Sequence, residues 1–89
     1  MQALSRRTSG ISNVLTVAFT QISQVQEFVN LTSQYPNDVD LVSGRYTVDA
    51  KSLLGIYSLD LRKPLQVVIF GDNSEQLTEK LKPFLVEEC

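Results

Sequence analysis

Asp49-Ala50-Lys51-Ser52-Leu53-Leu54-Gly55-Ile56-Tyr57-Ser58-Leu59 is the stretch that decides the architecture of this 89-residue chain. Ser52 has the short hydroxyl side chain that satisfies a free backbone N–H at a helix start. Leu53, Leu54, Ile56 and Tyr57 follow it, so a short helix is expected from residue 53 to about residue 59. Arg62-Lys63-Pro64 ends it, because proline cannot continue the hydrogen-bonded ladder. On the other side, Val39 and Leu41 stand two apart, Ser43-Gly44 supplies a turn, and Tyr46, Val48 and Ala50 alternate with Arg45, Thr47 and Asp49. That is the pattern of a β-hairpin. A hairpin therefore runs straight into a short, unusually apolar helix.

The flanking segments extend the same layout. Residues 14–19 (VLTVAF) are apolar and rich in β-branched side chains, as a strand requires. From Ile22 the period changes: Ile22, Val25, Phe28 and Val29 share one helical face, with Gln24, Gln26, Glu27 and Asn30 opposite. This helix must end before Pro36, which pushes Tyr35 out of the helical region. Residues 65–70 are apolar on both faces, which predicts a strand in the middle of a sheet. Gly71-Asp72-Asn73 is a turn, capped by Asn73 or Ser74. A last helix carries Leu77, Leu81, Phe84 and Leu85, with Pro83 expected to kink it or restart its final turn. The order is β-α-β-β-α-β-α, an α+β chain whose four-stranded antiparallel sheet is covered on one face by three helices. Residues 1–13 are polar and without sustained period; they are expected to be a flexible leader, with the domain at 14–89. Arg6-Arg7-Thr8-Ser9 within them has the shape of a basic-directed kinase site, and a solvated tail is the favoured reading.

Composition narrows the chemistry. The chain has no histidine, so the usual general base and metal ligand at neutral pH are both missing. Ser–His and Cys–His nucleophilic pairs cannot be built from it. Cys89 is the single cysteine, which excludes a disulfide within the chain and a thiolate metal cluster. The four glycines are scattered, so no phosphate-cradling loop is present. A formal charge of −2 gives no general attraction for nucleic acid, and no apolar run reaches the roughly 18 residues of a membrane span. No cofactor or metal is expected, an enzyme is disfavoured, and a cytoplasmic protein is the simplest expectation.

The layout, with its short second helix opening on Ser52, resembles the HPr (histidine-containing phosphocarrier) family of the bacterial sugar phosphotransferase system. Residues 49–59 are similar to the family's Lys-Ser-Ile-Met-Gly segment, which carries a regulatory serine. The resemblance implies an open-faced sandwich and a site at the start of the first helix. There the family has a phosphorylatable histidine followed by Ala-Arg-Pro. Counting back from Ser52 without gaps, the histidine position falls on Gln21 and the arginine position on Ser23, within Thr20-Gln21-Ile22-Ser23-Gln24-Val25. A carboxamide is too weak a nucleophile to accept and release a phosphoryl group, so a phosphohistidine carrier is excluded on chemistry. A regulatory paralogue in the family also has glutamine there, but it keeps the Ala-Arg-Pro that this chain lacks.

What the resemblance leaves open is recognition. Ser52 is either a plain cap or a phosphorylation site; the plain cap is favoured, because the family's kinase also reads the altered surroundings of the histidine. Leu53, Leu54 and Tyr57, extended by Ile22 and Gln21, either pack into the core or form a partner-binding face. Arg62-Lys63 reads as a solvated loop. The expected function is a non-catalytic, HPr-like regulatory or protein-binding module, monomeric or weakly dimeric. Its expected partners are phosphotransferase-system enzymes or catabolite regulators. The alternative is an interaction or structural domain that keeps the fold with no role in sugar transport.

Overall fold

The structure, a computed structural model, describes residues 10–86. Its elements are strand β1 (Ile11–Val17), helix α1 (Ile22–Ser33), strands β2 (Val39–Ser43) and β3 (Tyr46–Asp49), helix α2 (Leu53–Tyr57), strand β4 (Leu65–Phe70) and helix α3 (Glu75–Lys80). A 3-10 turn, Lys82–Phe84, follows. The sheet order is β1-β4-β2-β3, and every neighbouring pair is antiparallel. The α+β open-faced sandwich expected from the sequence is the observed architecture.

Side-chain alternation explains the layering. Val39 and Leu41 on β2, and Leu65, Val67 and Ile69 on β4, are buried together with Val25 and Phe28 of α1, Ile56 of α2 and Leu77 of α3. Strand β4 lies between β1 and β2, with Val67 opposite both Leu15 and Leu41. Its apolar surface on both faces is thus the signature of the central position. The β2–β3 turn places Gly44 at its first central position with a φ of 60°. Glycine adopts that backbone without steric cost, and such two-residue loops match the twist of the flanking strands.

Strand β1 starts three residues earlier than the alternation suggested. Ile11-Ser12-Asn13 belongs to the sheet, inside what read as a leader ending at Asn13. A register shift between Ile11 and Asn13 breaks the period there. Polar bonds hold the segment instead: Ser12 Oγ donates to the Ile69 carbonyl at 3.2 Å, and Asn13 Nδ2 donates to Thr78 Oγ1 at 3.3 Å. The Arg6–Ser9 motif and Cys89 lie outside the described residues.

Pro83 ends α3 and confines the next turn to 3-10 geometry, as its missing N–H dictates. Leu77, Leu81 and Phe84 are buried, whereas Leu85 leaves the helical path and forms a bridge to Val17. Val86 N–H donates to the Thr16 carbonyl at 3.0 Å and Ala18 N–H to the Phe84 carbonyl at 3.0 Å, covering the edge of β1. Covered edges resist pairing with foreign strands.

Phe19, Phe28 and Phe84 form an edge-to-face triangle with centroid separations of 5.3, 5.9 and 5.8 Å. Replacing the fully buried Phe28 by alanine is expected to cost about 3–5 kcal/mol of folding free energy. Urea denaturation of Phe28→Ala checks this, and a loss below about 1 kcal/mol would contradict the packing described.

Candidate functional site

The segment linking β1 to α1 carries the sequence-predicted site. Phe19 is anchored in the core, and the backbone then emerges at Thr20 and Gln21, both exposed. Gln21 is the N-cap of α1, with extended φ and ψ of −141° and 151°. Its carbonyl accepts from the Gln24 N–H at 3.1 Å. In return, the Gln24 carboxamide oxygen accepts from Thr20 N–H at 2.6 Å, Thr20 Oγ1 at 3.1 Å and Gln21 N–H at 3.2 Å. This is the reciprocal bond that a glutamine at the third helical position makes to its cap. Ser23 Oγ donates to Gln21 Oε1 at 3.3 Å.

Gln21 and Ser23 are both exposed and joined to each other. Among the described residues, no cluster of His, Cys, Asp or Glu could hold a metal ion, and no helix is long and apolar enough to cross a membrane. Gln24 was read from the sequence as a residue of the polar face. Its three bonds make it the fastener of the site, and the capping spacing from residue 21 to residue 24 was the signal that could have found it.

Helix α2 supplies the second half. Ser52, with φ of −108° and ψ of 109°, caps it: Ser52 Oγ accepts from the Gly55 N–H at 3.1 Å. Gly55 makes a close approach: a Cβ there would stand 3.2 Å from Ser52 Oγ and 3.3 Å from Val48 Cβ, so these neighbours would have to give by a few tenths of an ångström. Ile56 is in the core and Leu53 is half-buried against it. Leu54 is 81% exposed, Tyr57 lies at 37%, and Ile22 in the first turn of α1 stands at 59%. Leu53 therefore leans inward, while Leu54, Tyr57 and Ile22 present apolar surface to solvent.

The loop after α2 closes onto the start of α1. A cavity of about 350 Å³ lies between them, and Leu61 and Arg62 line it with Gln21 and Ile22. Arg62 is tied to Asp60 by a side-chain pair, Nε to Oδ1 at 3.0 Å and Nη2 to Oδ2 at 3.3 Å. These bonds, with one from the Arg62 backbone, hold the Asp60 carboxyl below its ordinary range, and Asp60 in turn raises Arg62. The loop read from the sequence as solvated is indeed exposed at Arg62, but its place beside Gln21 was not legible.

Gln24→Ala is expected to loosen the helix start and cost about 1 kcal/mol, the usual worth of a helix cap. Gln24→Glu keeps the acceptor and adds a negative charge at the positive end of the helix. Its carboxyl should have a depressed folded pKa, so the added stability is present at neutral pH and fades as pH falls through that value. Thermal melts of both variants between neutral and acid pH read this; equal stability of wild type and Gln24→Ala would refute the fastening role.

The phosphocarrier protein HPr from Bacillus anthracis str. Ames is 21% identical, with a TM-score of 0.70 over 90% of this chain and 100% of that one. HPr-C-His from Thermoanaerobacter tengcongensis is also 21% identical, with a TM-score of 0.69 over 79% of this chain and 86% of that one. At such identity the likeness establishes the fold. No curated protein matches the chain. The family model described as the PTS HPr component phosphorylation site matches residues 21–87, most of the 89-residue chain, starting on Gln21 itself. The chain belongs to the PTS-HPr family.

Proposed function

We propose that the protein is a non-catalytic member of this family, a regulatory or protein-binding module of a bacterial sugar phosphotransferase system that works in the cytoplasm without carrying phosphohistidine. The chemical side follows from composition: with no histidine in the chain and Gln21 at the family position, there is no imidazole to attack a phosphoryl donor. The observation that carries the recognition side is Leu54. It is 81% exposed as the second residue of a five-residue helix in which Ile56, two positions on, is fully buried. Leucine at that exposure, with Tyr57 and Ile22 also open to solvent, supports a docking face rather than a packing role.

The proposed partners are the general phosphotransferase enzyme and catabolite regulators, bound by a monomer or weak dimer through Gln21, Ile22, Leu54 and Tyr57, with Leu53 beneath. Burying a leucine side chain is worth about 1.5–3 kcal/mol. Leu54→Asp, which also adds a charge to be desolvated, is therefore expected to weaken binding by at least about tenfold. Calorimetric titration with the purified general enzyme checks this. Wild type should bind and gain no acid-labile phosphate from phosphoenolpyruvate through that enzyme. Failure of wild type to bind either the enzyme or a catabolite regulator would overturn the proposal and favour a domain with no part in sugar transport.

Ser52 is assigned the structural role of capping α2, consistent with its bond from Gly55. Ser52→Ala is expected to cost about 1 kcal/mol of stability. Incubation with an HPr-type kinase and ATP, read by intact mass, is expected to leave wild type unmodified. A phosphoryl gain on wild type that Ser52→Ala lacks would instead make Ser52 a regulatory site, with a dianion placed at a helix start.

A further inference from the structure

The helices pack on one face of the sheet, and the opposite face carries a buried acid. Val39 and Leu41 of β2 point into the core. Asp40 between them therefore points the other way, yet it is only 3% exposed. Phe70 alternates with the core residue Ile69 in the same manner and is 6% exposed. On this open face Asp40 stands directly opposite Asp49 of β3, with Val68 of β4 on its other side. Like charges facing each other weaken a sheet, and a carboxylate withdrawn from water requires an opposite charge or dedicated hydrogen bonds.

The sheet itself supplies no such charge, because none of its four strands contains Lys or Arg. Among the described residues, Lys51 Nζ donates to the Tyr35 carbonyl at 2.7 Å, while Arg62 and Lys82 face Asp60 and Glu79. Lys80 ends α3 on the helical layer, and Lys63 belongs to the loop before β4. Arg45 sits in the turn past Ser43, roughly 10 Å along the strand from Asp40. Residues 1–9 hold two cations, Arg6 and Arg7, and no acid, whereas residues 10–89 hold six cations against ten acids.

The exit of the chain brings these charges within reach. The Gly10 carbonyl accepts from Gly71 N–H at 3.0 Å, and Phe70 N–H donates to the Asp38 carbonyl at 2.9 Å. The segment before Gly10 thus begins where β1, β4 and the start of β2 come together. Asp40 lies two strands across and three residues along from that point, about 14 Å away by sheet spacing. Three or four extended residues, the separation of Arg7 and Arg6 from Gly10, span about 10–13 Å before the side chain is added.

The geometry points to an internal strap: the segment before Gly10 crosses the open face of the sheet and sets the Arg6-Arg7 guanidinium groups against Asp40 and Asp49. Arginine suits the place, since its planar fork can bond two carboxylates at once. The strap lies on the face opposite the helical layer and leaves Leu54, Tyr57 and Ile22 clear.

A nitroxide placed on Ser5→Cys, in the full chain carrying Cys89→Ser, reads the position of the segment. With the label oxidised, the amides of Asp40, Asp49 and Val68 should broaden more strongly than those of α1 and α3. Arg6→Gln with Arg7→Gln alters no residue of the sheet or core and should abolish that preference; Arg45→Gln should leave it intact. Equal or stronger broadening of the helical layer, broadening limited to the start of β1, or a preference that survives loss of both arginines overturns the strap. Loss of the preference in Arg45→Gln also overturns it and assigns the pairing to the turn. Mixing unlabelled nitrogen-15 chain with spin-labelled chain at natural isotope abundance should produce no broadening. Broadening of Asp40 in that mixture assigns the face to a second copy and overturns the internal contact.

Discussion

The edge-to-face packing of Phe19, Phe28 and Phe84 is the contact on which the placement of the site depends. The three rings come from the end of the β1 segment, the middle of α1 and the 3-10 turn after α3. Each offers a positive ring edge to a negative ring face, which favours perpendicular over stacked geometry. With Phe19 held this way, the next two residues have to leave the core, and Thr20-Gln21 is delivered to the surface at the start of α1. Pro83 contributes from the other side: by ending α3 it sets Phe84 in a 3-10 turn and sends Leu85 and Val86 along the edge of β1.

The start of α1 is closed by its own side chains. Gln24 accepts from Thr20 and Gln21, and Ser23 joins Gln21. A carboxamide oxygen at that point satisfies N–H groups that otherwise need water or an anion. The polar groups nearest the family position are engaged in fastening the chain. Helix α2 is built on the opposite economy of space. Its five residues are too few to be stable by themselves, and it persists because Ser52 caps it, Ile56 is buried and Gly55 lets it approach Val48.

Much of this was legible in the sequence, for physical reasons that differ by element. Residues 65–70 declared a central strand because both faces are apolar, and the hairpin declared itself through alternation and Gly44. Helix α1 was visible in its 3.6-residue period, and Pro83 announced the break after α3. The beginning of β1 was hidden, because Ser12 and Asn13 are held by side-chain bonds to residues more than fifty positions away. Periodicity carries no trace of such bonds. At the site, Gln21 and Ser23 were placed by counting back from Ser52 against the family layout, and Ser52 was read as a cap from its residue type, as its bond from Gly55 bears out. The meeting of Gln21 with Leu61 and Arg62 was not, since it depends on how the loop after α2 folds back onto α1.

The distribution of apolar surface ties these features together. A small domain has little core to spare, and each apolar side chain left in water forgoes stabilisation of the order of 1.5–3 kcal/mol. This chain nonetheless leaves Leu54, Tyr57 and Ile22 open on its helical layer. The polar alternation of an ordinary solvent face would have placed Lys, Glu or Gln at such positions without harm to the fold. Ile56 shows that α2 needs one deep anchor, and Leu53 shows that a second residue can lean inward; Leu54 satisfies neither need. Its exposure, on the same layer as the start of α1, is the feature on which the proposed docking face rests.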